Sequence, residues 1–453
     1  MQQLTRIEAL KELTTNGFPV RDTLGPVIGP LIAQYHSDAR ERVYTPEVVT
    51  FSLITGILSG DCSLQSCVIR NNTDRRLRNL APASPNTAAF SQMRSKLDSK
   101  ILSEGTVQMA RDAEMFVKPD ELWMGYTPYV IDGTTFTAAD TPENQESFPQ
   151  HGNQSDGAGF PMLRAVAIQS LTTCMILDIA YGPCKGKETG EMALARPLIA
   201  GLKGKSILIG DRYYPSFFNL AFFKMNGIEG VFQAHGARNI DFRSGKSIGV
   251  LDHIAVWPKP SRPDWMTEQE YDSYPSSIEV RECEITREVG ACERFVLVTT
   301  LLDSAKVTKT RLAKMYKKRW RIEMVFKDLK DLFGLDFISA KTPDMVGKMI
   351  WAHCLAYNCL RWHILNASCL FHVPVENISP KGAATIIIQN QPIVLRTDSE
   401  HIPALFADIY HEMIRIKVGN RPGRVEPRAV KRRPKNFPRL CKHRSKYKKT
   451  TRA

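Results

Sequence analysis

Two short apolar runs in this chain each end in an aspartate. Tyr129-Val130-Ile131-Asp132 and Ser206-Ile207-Leu208-Ile209-Gly210-Asp211 both lead into polar, turn-forming residues. Runs of this kind read as buried strands of a layered α/β domain. In such a domain, polar residues gather where strands end at one edge of the sheet. If the two strands are neighbours, both carboxylates point into one crevice. The sequence between and after them alternates in the same way. Residues 163–171 and 174–180 predict two strands joined by Thr172-Thr173, 188–202 a helix, 215–225 a helix and 230–234 a further strand.

A third acid comes from a helix expected over 308–333. Its centre, YKKRWRIEMVFKDLK (316–330), has no Gly or Pro. At about 100° per residue, Tyr316, Arg319, Glu323 and Lys330 fall near 0°, −60°, −20° and −40° and share one face. Ile322, Val325, Phe326, Leu329 and Leu332 occupy the neighbouring sector and suit docking on a core. Alone, this is also how a solvated helix with internal salt bridges looks. With Asp132 and Asp211 on strands, Glu323 becomes the third of three hard oxygen ligands suited to Mg²⁺ or Mn²⁺. A pair of such ions serves in-line displacement at phosphorus. Arg319 and Lys330 then hold neighbouring phosphates, and Tyr316 donates a hydrogen bond or stacks on a sugar or base. Arg212, next to Asp211, is a further DNA contact on this reading. Asp140, Asp178, Asp328, Asp331 and His235 read as turn-forming, ion-paired or structural residues.

Charge agrees with an anionic partner. The net charge is +14 and the isoelectric point about 9.3, which favours nucleic acid over a membrane surface. No apolar run approaches the ~18 residues of a membrane-spanning helix, and the first twenty residues lack the apolar core of a signal peptide. The ten cysteines form no CxxC pair and read as reduced thiols, mostly in the core. A cytoplasmic location is expected.

Along the chain, residues 1–118 read as a helical, DNA-binding domain. It has a short amphipathic segment at 7–13, a helix opened by Pro46, one capped by Ser63 and one opened by Ser84-Pro85-Asn86 and running past Leu102. The basic stretch 71–79 reads as a connection. Segments 119–235 and 301–372 form the α/β catalytic core, with a long helix over 342–370. Between them, 236–300 reads as an all-β insertion. A C-terminal extension covers 373–416 and a basic tail 417–453, the latter suited to binding a polyanion.

The spacing Tyr316-x2-Arg319-x3-Glu323-x6-Lys330 resembles the signature of the insertion sequence 4 family of DDE transposases. DGTTFTAADTPEN, beginning at Asp132, and GDRYY, around Asp211, look like that family's first and second acid motifs. The resemblance covers roughly 120–370. It implies a ribonuclease-H-like mixed sheet with flanking helices and a cut-and-paste mechanism. Asp132, Asp211 and Glu323 would be the catalytic, metal-binding triad for two Mg²⁺ or Mn²⁺ ions, and Tyr316, Arg319 and Lys330 the DNA contacts. It further implies double-stranded DNA partners, namely terminal inverted repeats and target DNA, bound by a homodimer. The family uses an aromatic of the insertion to receive a flipped base; Trp257 and Trp265 are the candidates, although packing on the insertion's own core fits either. Two other functions remain open: a nuclease of the same fold that nicks without joining, and a transposase-derived DNA-binding regulator.

Overall fold

The computed structural model describes residues 19–36, 43–153, 155–186, 189–289, 291–398, 400–419, 441–443 and 446. The segment expected over 7–13 and most of the basic tail lie outside these residues.

Five helices come first: α1 (Pro19–Tyr35), α2 (Pro46–Leu58), α3 (Leu64–Leu77), α4 (Ala88–Lys96) and α5 (Ser99–Glu114). The basic stretch read as a connection is largely the second half of α3. Ser63 Oγ accepts the Ser66 N–H at 3.3 Å to start this helix, no Gly or Pro interrupts it, and Asn79 at φ 58° ends it. The helix expected to run past Leu102 is two helices. Asp98 Oδ1 accepts the Lys100 N–H at 2.8 Å and starts α5 afresh.

The strands are β1 (Thr127–Ala138), β2 (Met162–Ser170), β3 (Ile176–Pro183), β4 (Ser206–Gly210), β5 (Glu229–Gln233), β6 (Lys246–Gly249), β7 (Asp252–Pro258), β8 (Ser277–Val289), β9 (Ala291–Thr299) and β10 (Phe337–Ile338). They form one sheet in the order β3-β2-β1-β4-β5-β9-β8-β7-β6, with β10 also pairing β1. β1, β4 and β5 are parallel; β2 runs antiparallel to β1 and to β3, and β9 runs antiparallel to β5.

The remaining helices are α6 (Pro142–Ser147), α7 (Glu191–Ala200), α8 (Phe217–Met225), α9 (Glu268–Ser273), α10 (Lys309–Lys317), α11 (Trp320–Lys327), α12 (Pro343–Phe371), α13 (Pro380–Val394) and α14 (Ile402–Arg415). The insertion read as all-β contains α9, which Thr267 caps by accepting the Glu270 N–H at 3.2 Å. Its strands are not a separate sheet: β9 pairs with β5 and carries the central sheet outward.

Apolar side chains fill both faces of the sheet. On one face Val130 and Phe136 of β1 join a core that includes Leu24, Leu102, Met109, Ile322, Val325 and Leu355, so the N-terminal helices and α12 share it. On the other, Ile131 joins Leu198, Leu208, Leu220 and Val298. Val130 and Ile131 are both fully buried, each worth roughly 1.5–3 kcal/mol. A one-residue slip of β1 would send each into the opposite, differently packed layer and throw Asp132 onto the wrong face. Register therefore determines which helices Asp132 meets.

Candidate active site

β1 is longer than expected. The polar residues after Asp132 predict a loop, but Gly133-Thr134-Thr135-Phe136-Thr137 continues the strand, paired to β2 as far as Thr137↔Met162. Its Thr and Phe residues favour strand, and β2 supplies a partner on one side. Asp132 therefore lies mid-strand rather than at a strand end. A gap in pairing still exposes it. On the other edge, β4 pairs β1 only up to Val130↔Ile209, and β10 begins at Thr137↔Phe337. Between these points that edge of β1 has no strand partner among the described residues.

Asp211 follows the last residue of β4. Extending the β1–β4 register two residues beyond Val130↔Ile209 sets it beside Asp132. Its Oδ1 accepts the Tyr213 N–H at 2.8 Å, which holds the turn leaving the strand. Arg212 and Tyr213 are exposed there, and His235 meets the Tyr213 ring edge-on at 6.0 Å.

The third element is the helix pair α10–α11, expected as one continuous helix. It tightens at Lys318-Arg319, where the Arg319 N–H donates to Tyr316 O and the Arg321 N–H to Lys318 O. It then widens into a π turn over Asp328–Leu332. Constant-pitch angles therefore do not describe the four residues. Tyr316 stands by β5 and β9, with its hydroxyl 3.4 Å from Gln233 Oε1 and its ring 5.6 Å from Phe295. Arg319 donates to Asp132 Oδ2 and to Glu323 Oε1, each at 2.8 Å. Lys330 lies over the Phe136 ring at 5.5 Å, further along β1. The four form a row across the sheet, with Asp132, Arg319 and Glu323 in direct contact.

The environment is partly desolvated. Burial pushes the Asp132 carboxyl up to about 6, aided by the charges of Asp211 and Glu191 and opposed by the Gly133 N–H and Arg319. Burial also holds Lys330 below the usual lysine range, against the pull of Asp336 and Asp331. Among the described residues, no three His, Cys, Asp or Glu side chains are grouped as a metal cluster. The donor set nonetheless suits a hard cation: carboxylates on adjacent strands and a facing helix, with a guanidinium between two of them as counter-charge.

Two residues here were not anticipated from sequence. Glu191, the first residue of α7, reaches the site from the opposite sheet face, and Tyr214 donates its hydroxyl proton to Glu191 Oε1 at 2.6 Å. An acid at a helix start ordinarily reads as a partner for the helix dipole, so nothing local linked it to Asp132.

Of the two tryptophans weighed for base stacking, Trp257 is buried. Its Nε1–H donates to Glu282 Oε1 at 2.9 Å, and Arg238 covers its ring at 3.3 Å. Trp265 is more exposed, with Arg196 over its ring at 3.6 Å.

Residues 123–359, about half the chain, match the family described as a transposase DDE domain. The chain belongs to the transposase DDE domain family. This transposase is 23% identical over 357 residues, covering 78% of each chain, to the transposase InsG for insertion sequence element IS4 of Escherichia coli strain K12. It is 39% identical over 61 residues to the putative transposase InsL for IS186A of the same strain, 14% of this chain and 16% of that one. A solved structure of the piggyBac transposase synaptic complex with hairpin DNA gives a TM-score of 0.39 at 11% identity, covering 94% of this chain and 88% of that one. The resemblance to the insertion sequence 4 family thus extends over most of the chain. The protein is a DNA transposase, an enzyme that cleaves and transfers DNA strands, and divalent-metal dependence goes with its domain. No helix among the described residues is long and apolar enough to cross a membrane.

Proposed function

We propose that this transposase moves an insertion sequence by cut-and-paste transposition. It hydrolyses DNA at each element end to free a 3′-hydroxyl, and that hydroxyl then attacks target DNA. The observation that carries this reading is the Arg319 bridge from Asp132 to Glu323 at the unpaired edge of β1, with Asp211 in the adjacent register position.

Asp132, Asp211 and Glu323 would hold two Mg²⁺ or Mn²⁺ ions. When bound, these supply Lewis acidity to the attacking and leaving oxygens of an in-line displacement at phosphorus. Arg319 balances Asp132 and Glu323, and its planar fork also suits a phosphate oxygen of a bound strand. Lys330, further along β1, holds a second phosphate, and its packing on Phe136 keeps the ammonium in place. Tyr316 contributes a hydroxyl or a stacking face at the other end of the row, and Arg212 a charge beside Asp211. The row suits an extended backbone rather than a small substrate.

The strand order β3-β2-β1-β4-β5, with β1, β4 and β5 parallel, supports a ribonuclease-H-like core formed by 119–235 and 301–372. On this reading, 1–118 and the basic tail 417–453 add DNA affinity, 236–300 is the insertion and 373–416 the C-terminal extension. Two copies pair the terminal inverted repeats, and the enzyme works in the cytoplasm on the nucleoid.

The test is cleavage and strand transfer of end-containing DNA with Mg²⁺ or Mn²⁺. Asp211→Ala and Glu323→Ala are each expected to lose cleavage while retaining DNA binding. Intact cleavage in either would refute the triad. Nicked products without integration would identify a nuclease, and metal-independent binding with no cleavage a regulator.

A further inference from the structure

Glu191 stands where an ordinary strand residue would leave no room for it. A Cβ built on Gly133 would lie 2.6 Å from Glu191 Cδ and within 2.9 Å of both carboxylate oxygens. The carboxylate is therefore seated on the backbone of the residue next to Asp132. Gly133 faces two ways: its N–H donates to Asp132 Oδ1 at 2.8 Å, and its bare Cα forms the seat.

The second contact ties this seat to the other aspartate. Tyr214 is fully buried and donates to Glu191 Oε1 at 2.6 Å. It closes the turn that begins at Asp211, with its N–H pointing to Asp211 O at 3.4 Å and its own carbonyl accepting from Asn219 Nδ2 at 2.9 Å. The start of α7 is itself anchored, because Arg164 of β2 donates to Thr189 O at 3.0 Å. One side chain thus links strand β1 at Gly133 to the turn that carries Asp211. An acid present only to complement the helix dipole would need neither contact.

We propose that Glu191 is a positioning residue of the active site. Seated on Gly133 and held by Tyr214, it fixes the spacing of Asp132 and Asp211 and so sets how tightly that pair takes a divalent cation. This rests on reading Asp132 and Asp211 as a metal-holding pair.

The experiment is titration of Mn²⁺ into the full-length protein without DNA, followed by calorimetry, alongside cleavage assays. Tyr214→Phe and Glu191→Ala are each expected to weaken Mn²⁺ binding roughly tenfold, as loss of an outer-sphere partner does. The double variant should be no weaker than Glu191→Ala alone, and excess Mn²⁺ should restore cleavage in Tyr214→Phe. Glu191→Gln keeps the shape and an acceptor for the Tyr214 hydroxyl, so it should bind Mn²⁺ within about threefold of wild type. The role is overturned if Tyr214→Phe and Glu191→Ala bind as wild type. It is also overturned if Glu191→Gln is as weak as Glu191→Ala, or if Tyr214→Phe weakens the Glu191→Ala background further. Asp211→Ala, run in parallel, tests the parent reading. Wild-type Mn²⁺ affinity there refutes the metal pair itself, whereas loss there with wild-type binding in the other variants refutes only Glu191.

Discussion

Arg319 and Asp132, 187 positions apart in sequence, are joined by a 2.8 Å ion pair. The same guanidinium reaches Glu323, so one cation bridges an acid on the sheet and an acid on its own helix. Both carboxylates are partly withdrawn from water, where a counter-charge matters more than at an open surface.

Removing that guanidinium should therefore separate metal binding from catalysis. On the proposed metal-holding reading, Asp132 and Glu323 of Arg319→Ala lose their internal competitor for a cation. Mn²⁺ affinity of the DNA-free protein is expected to hold or rise, while DNA cleavage falls by about two orders of magnitude, a loss typical of a donor aimed at transition-state charge. Calorimetric titration and a cleavage time course measure the two effects. A parallel fall in both would mean that Arg319 organises the acids rather than competing with a cation.

His353 should make the core acid-sensitive. It is buried on α12 between Met349 O at 2.6 Å and Phe333 O at 3.2 Å, and burial lowers its pKa from 6.5 to about 4, against the pull of those two carbonyls. The folded state thus prefers the neutral ring. Its stabilising contribution is complete above the unfolded pKa and is lost as pH falls from about 6.5 through about 4. The loss is on the order of 3 kcal/mol. Denaturant midpoints of wild type and His353→Gln, compared between pH 7 and 4.5, check this: the variant should show the shallower decline.

Trp257 should behave as a structural residue. Glu282 accepts from Trp257 at 2.9 Å and contacts His253 Nε2 at 2.7 Å, within the buried part of the insertion. Trp257→Phe leaves one carboxylate oxygen without its donor, at a cost of about 1–3 kcal/mol. Unfolding by urea should report that loss, while affinity for an element end stays within a few-fold. A large drop in DNA affinity without destabilisation would return Trp257 to the DNA interface.

Much of the candidate site is legible in the sequence because it is written in local patterns. Apolar runs ending in Asp132 and Asp211 mark buried strands, and the Tyr316–Lys330 spacing marks a helix segment whose signature matches a transposase family. The sequence therefore determined the family, the α/β alternation, the helical N-terminal region and the acids to watch. Only the tertiary structure decided how far β1 extends past Asp132, because its Thr-rich continuation is a strand only while β2 pairs it. It also set Tyr316, Arg319 and Lys330 in a row, because a tightened turn and a π turn alter the helix pitch in a way no constant-angle wheel anticipates. Glu191 belongs to the same class. It joins the site from the other face of the sheet, through the missing side chain of Gly133, and such contacts arise from strand register and packing rather than from neighbours in sequence.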